Sequence, residues 1–140
     1  MIRAVIFDMD GVLIDTEKHY NAAWCQAAKE AGFPFTREHA LLLRSCEAQE
    51  GERLMQEIFG TGFDYYAIRE RRRELVRERL DRYGLEKKPY VDEALKYLRE
   101  KGIKTAVATA TALDITKSHL TSIGIYDLFD SVVKEIIDSN

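Results

Sequence analysis

Ala4 to Phe7 is a short apolar run rich in β-branched and aromatic residues. It stops abruptly at Asp8, with Asp10 and Gly11 just beyond. The run reads as a fully buried strand, which in an α/β protein points to a parallel one. Two carboxylates two residues apart then sit at the C-terminal end of that strand, where open α/β sheets hold their ligands. Carboxylates are costly to hold there without a partner, and the natural partner is a hard cation such as Mg²⁺.

The rest of the composition is compatible with that picture. Hydrophobic residues make up 46% of the chain and charged residues 32%, so a soluble globule is expected rather than a disordered chain. The length suits one domain, or a small core carrying an insert. A net charge of −3 argues against a general nucleic-acid or anionic-membrane binder. Cys25 and Cys46 lie in helical patterns whose spacing suggests neither a disulfide nor a zinc site. Free thiols in a reducing, cytoplasmic setting are expected. No signal-peptide pattern, long apolar segment or internal repeat is visible.

Taken in order, residues 16–87 read as four helices without a strand. Asp15 or Thr16 is expected to cap the first, which runs to about Ala31 and buries Tyr20, Ala23, Trp24, Ala27, Ala28 and Ala31. Thr36 begins the second, to about Arg44. The third spans Glu47 to Phe59. Asp64 caps a long fourth helix to Tyr83, with an inward stripe of Ile68, Leu75, Val76 and Leu80. Its dense charge, Arg69 to Glu74 and Arg77 to Arg79, reads as a solvated face with pairs such as Glu78–Arg82. Acids are interleaved and no aromatic platform accompanies the arginines, which disfavours a nucleic-acid surface.

From Pro89 the pattern changes. Val91, Leu95 and Leu98 line a helix. Ile103 to Ala108 is a second strand, ending in Thr109-Ala110-Thr111. Leu113 to Ile123 is a helix with Ile115, Leu120 and Ile123 inward, and Ser131 to Val133 begins a third strand. Strands alternating with helices predict an α/β fold with a parallel, Rossmann-like core sheet of about three strands. The expected division is a core of residues 1–15 and 88–140 and an inserted four-helix cap of residues 16–87. The insert follows the Asp8 and Asp10 loop, well placed to cover it.

Phe7-Asp8-Met9-Asp10-Gly11-Val12-Leu13, with Asp15-Thr16-Glu17 after it, resembles the first motif of the haloacid dehalogenase-like superfamily. The helical insert resembles the subfamily of β-phosphoglucomutase and sugar-phosphate phosphatases. Val107-Ala108-Thr109 resembles the second motif, and Gly124 to Asp130 the linker before the third core strand. The resemblance implies that Asp8 is a nucleophile forming an aspartyl-phosphate and that Asp10 is its general acid and base. It implies that Asp8 and the Asp10 backbone carbonyl hold Mg²⁺, and that Thr109 and the Ala110 N–H hold phosphate oxygens. Asp10 also favours phosphoryl transfer, because haloacid dehalogenases proper lack the second acid.

Two departures stand beside the resemblance. Many relatives place a His where this chain has Tyr20. His19 is one residue away, a rotation of about 100° on a helix, and is expected to be a solvated helix residue. Arg44 and Ser45 are candidate substrate contacts. The family's later Lys and carboxylate motifs have no match, because Lys134 and Asp138 follow the third strand too closely. The first strand would then lie at an open edge, able to pair with another chain. The leading expectation is a Mg²⁺-dependent phosphatase acting on a small phosphorylated metabolite, with its activity in this short chain open. The alternatives are a non-catalytic fragment that pairs through the core edge, and a sugar-phosphate mutase.

Overall fold

The computed structural model describes residues 3–134. Its elements are β1 (Ala4–Asp8), α1 (Glu17–Glu30), α2 (Arg37–Leu43), α3 (Ala48–Phe59), α4 (Tyr65–Tyr83), α5 (Val91–Glu100), β2 (Lys104–Thr109), α6 (Leu113–Ser122), a 3₁₀ turn (Tyr126–Leu128) and β3 (Ser131–Lys134). The predicted α/β order of strand, four helices, helix, strand, helix, strand is what forms. Among the described residues the chain divides into two compact units, residues 3–16 with 85–134, and residues 17–84.

In the α/β unit the three strands are parallel in the order β1-β2-β3. The register sets Phe7 beside Val107 and Val107 beside Val132, one row on one face. Val91 and Leu95 of α5, Leu120 of α6 and Ile125 pack with Met9, Leu13, Ile14 and Val107 on that side. The other face carries Ile6, Ala106, Ala108 and Val133, and Ile6 is 69% exposed. Strand alternation explains the difference, since successive side chains point to opposite faces. The expectation that β1 is fully buried is therefore wrong. Only alternate residues are covered among the described residues, and β1 lies at the sheet edge. Asp130 ties β3 to β2, its carboxylate accepting the Thr105 N–H at 2.8 Å and its own N–H donating to the Thr105 carbonyl.

The helical unit is held by a core around Trp24, Phe35, Leu43, Met55, Phe63, Tyr65, Ile68 and Leu75. The Asp64 carboxylate caps α4 by accepting the Ala67 N–H at 3.2 Å. The Thr36 N–H at the start of α2 donates to His39 Nδ1 at 2.9 Å. Burial along α4 follows Tyr65, Ile68, Arg69, Arg72, Leu75 and Val76. Arg69 and Arg72 thus lie inward, against the expectation that this charged run is all solvated face. The ion pairs on the outer side centre on Arg71, which binds the Glu30 carboxylate through Nε and Nη2 at 2.9 and 3.1 Å and Glu74 at 2.9 Å. Glu78 lies 3.9 Å from Arg71, rather than in the expected pair with Arg82.

Other inward positions also shift. Ala31 is exposed because α1 ends at Glu30. On α6 Ile115 is 47% exposed and Thr116 is buried in its place, a one-residue change of helical register. Neither Cys25 nor Cys46 is in a disulfide. No helix among the described residues is long and apolar enough to cross a membrane.

Candidate active site

The loop after β1 is built around Met9. Its side chain is fully buried, and its carbonyl accepts the N–H groups of Leu13 at 2.9 Å and Ile14 at 3.2 Å. Leu13 and Ile14 are buried as well, so three apolar anchors fix the turn. Gly11 has φ +79°, a conformation that costs an L residue its Cβ clearance. Its N–H donates to the Ile14 carbonyl at 3.0 Å. Two carboxylates therefore flank a locked residue, and their placement follows from the packing of Met9.

The two are not equivalent. Asp8 ends β1, is exposed, and accepts the Met9 N–H at 2.9 Å on Oδ1. Asp10 is half-buried and accepts the Thr16 hydroxyl at 2.9 Å. Burial pushes the Asp10 carboxyl above the usual carboxylate range. The Thr16 hydrogen bond works against that rise, and the charge of Asp8 adds to it. Thr16 thus spends its hydroxyl on Asp10.

Thr109 is the last residue of β2 and is buried. Its hydroxyl oxygen accepts the Thr111 N–H at 3.2 Å, which leaves the hydroxyl proton available to donate. In the β1–β2 register Asp8 stands opposite Ala108, one residue before Thr109. Asp8, Asp10, Thr109 and Ala110 are thereby gathered at the C-terminal end of two adjacent parallel strands.

His119 of α6 escaped the sequence reading. Burial lowers its imidazole below the usual value, opposed by the negative charge of Asp10. Its Nδ1 is buried without a hydrogen-bond partner among the described residues. Nothing local in the sequence marks it, because α6 reaches Asp10's field only through the fold.

Other candidates lie elsewhere. Lys134 is the exposed end of β3, in register with Thr109, and Asp138 falls outside the described residues. His19 and Tyr20 belong to the helical unit, as do Arg44, which pairs with Glu17, and the exposed Ser45. His19 is not solvated. It is 2% exposed, stacks on Tyr83 at 6.1 Å, and its Nδ1 accepts Arg79 Nε at 3.2 Å.

The donor set suits a hard cation. Asp8 offers carboxylate oxygens and Asp10 a backbone carbonyl, and the charge of Asp8, which adds to the rise that burial imposes on Asp10, is one a cation would offset. Among the described residues no cluster of three or more His, Cys, Asp or Glu side chains forms a metal cage. A Mg²⁺ on this pair would keep several waters, as that ion commonly does.

The haloacid dehalogenase-like hydrolase family profile matches residues 2–140. A phosphorylated carbohydrates phosphatase of Thermotoga maritima is 32% identical over 132 residues, covering 94% of this chain and 61% of the relative. The fructose-1-phosphate phosphatase of Escherichia coli is 26% identical, covering 92% and 67%. The crystal structure of β-phosphoglucomutase from Clostridium difficile superposes with a TM-score of 0.71 at 22% identity, over 94% of this chain and 61% of that one. The chain thus spans about three fifths of the length of the first of these relatives. With the profile matched over nearly its whole length, the chain belongs to the haloacid dehalogenase-like hydrolase family.

Proposed function

We propose that this chain carries the nucleophile end of a phosphatase site that acts on a small phosphorylated metabolite of the carbohydrate class. Asp8 attacks phosphorus, and the bond from phosphorus to the leaving oxygen breaks as Asp10 protonates that oxygen. Water then attacks the aspartyl-phosphate at phosphorus. Asp10 takes the water's proton, inorganic phosphate leaves, and Asp8 is regenerated. A carboxyl raised by burial suits Asp10, because it holds its proton to higher pH than an ordinary aspartate. The Thr109 hydroxyl and Ala110 N–H hold phosphate oxygens. Mg²⁺ held by Asp8 and the Asp10 carbonyl would offset the phosphate's charge as the anionic nucleophile approaches.

The observation that carries this reading is the gathering of one exposed and one half-buried carboxylate beside Thr109 at the carboxyl end of the sheet. The class of substrate rests on the phosphorylated carbohydrates phosphatase and fructose-1-phosphate phosphatase relatives. The test is phosphate release from fructose-1-phosphate with Mg²⁺, comparing the chain with Asp8→Asn. Loss of essentially all turnover in the variant is expected. Equal turnover in both would remove Asp8 as nucleophile. A mutase differs only in the acceptor, a sugar hydroxyl in place of water. The same assay separates the two by product, inorganic phosphate or an isomeric sugar phosphate.

A further inference from the structure

We propose that the helical unit holds an anion-binding site centred on Arg72, which takes a phosphate or carboxylate group. Arg72 is 4% exposed. Its guanidinium lies over two rings, 5.1 Å from the centre of Tyr20 and 5.2 Å from that of Trp24. It forms no hydrogen bond or ion pair among the described residues, and its Nε is buried and unpartnered. The groups acting on its charge are Tyr20, Arg73, Arg69 and Tyr65, two phenols and two further arginines. Burial pulls the guanidinium below its usual pKa, as expected of a cation held without a counter-charge.

The neighbours sharpen the chemistry. Arg69 lies one helical turn before Arg72 on the same inward stripe and is also buried. The Tyr65 hydroxyl, at the head of that stripe, is buried and without a hydrogen-bond partner. Its pKa is pushed up to about 12 by burial, so it is a donor at any ordinary pH. A guanidinium donates and never accepts, and a phenol held protonated donates readily. Ring faces stabilise a buried cation only in part, and the remaining demand is for an acceptor of opposite charge. An oxyanion meets it, with the planar fork of arginine matched to two oxygens of phosphate or carboxylate. This argument stands apart from the phosphoryl-transfer reading, since it uses no residue of the α/β unit.

The chain contains a single tryptophan, Trp24, so its emission reports directly on Arg72. The experiment titrates the protein with inorganic phosphate at constant ionic strength and follows that emission. A saturable change is expected, reduced about tenfold or more in affinity in Arg72→Lys, and absent in Arg72→Met. Far-ultraviolet circular dichroism checks that each variant is folded. The lysine variant keeps the comparison valid if the methionine variant is not. A response that is linear and equal to that given by chloride overturns the proposal. So does a saturable response that Arg72→Lys leaves unchanged. Parallel titration with fructose-1-phosphate separates the sources: tighter saturation than phosphate assigns the site to a phosphorylated sugar, and equal saturation assigns it to the free anion.

Discussion

Gly51 is the fourth residue of α3 and is buried, where alanine would ordinarily be the better helix former by about 0.5–1 kcal/mol. The structure reverses that sign. A Cβ at Gly51 would stand 3.0 Å from both Cε1 and the hydroxyl oxygen of Tyr65, and 3.1 Å from Cδ2 of Leu43. Neither neighbour has room to yield. Tyr65 is 1% exposed and Leu43 fully buried, and the Tyr65 ring is braced by Trp24 at 5.7 Å and Tyr66 at 5.2 Å. Overpacking a core of this kind costs about 1–3 kcal/mol. After the propensity gain, Gly51→Ala should destabilise by about 0.5–2 kcal/mol, a fall in Tm of a few degrees for a chain of this size. Thermal melts read by circular dichroism measure it. Gly62→Ala is the control. A Cβ there meets nothing within 4 Å and no positive φ is involved, so that variant should gain up to about 1 kcal/mol through the unfolded state. A Gly51→Ala melt at or above the wild-type temperature, with Gly62→Ala behaving as stated, would refute the packing argument.

Two further substitutions test the site loop and its surroundings. Burial raises the Asp10 carboxyl, so between its ordinary value of 3.8 and its folded value the native state binds more protons than the unfolded one, and Asp10 weakens the fold as pH climbs through that window. Asp10→Asn keeps an acceptor for Thr16 and should be more stable than wild type at pH 7, with the advantage shrinking toward pH 3. An advantage of the same size at both pH values, in urea melts, would contradict the assignment. Tyr90, 77% exposed with φ +70°, precedes α5 in the left-handed region at a cost of about 1–2 kcal/mol. Tyr90→Gly relieves that strain and, after the unfolded-state entropy of glycine, should raise stability by about 0.5–1 kcal/mol in the same melts.

The legible parts of the sequence were those where one local rule decides. Asp64 and Thr36 mark helix starts because their side chains or their third neighbours reach orphan amides, and both helices begin there. The strand-to-Asp8 junction was legible because apolar β-formers end against a carboxylate. Tertiary geometry decided the rest. Ile6 looks as buried as Phe7 in a string of letters, yet they face opposite sides of a sheet, and only Phe7's row meets α5 and α6. Ile115 and Thr116 differ by one helical step, and the packing surface chose the threonine. His119 acquires its relation to Asp10 entirely through the fold.

The arginines of α4 are a different case, because the signal was present and outweighed by polarity. Positions 65, 68, 69, 72, 75 and 76 follow the i, i+3, i+4, i+7 spacing of an inward stripe, and the structure buries all six. Reading only the apolar members leaves Ile68, Leu75 and Val76, and assigns Arg69 and Arg72 to solvent by residue type. Periodicity is the stronger argument, because the helix has one geometry whatever its side chains are. A charged residue on the buried stripe must then be accounted for by a partner, a ring or a ligand. For Arg72 the rings of Tyr20 and Trp24 supply part of that account. The oxyanion proposed for it would supply the remainder.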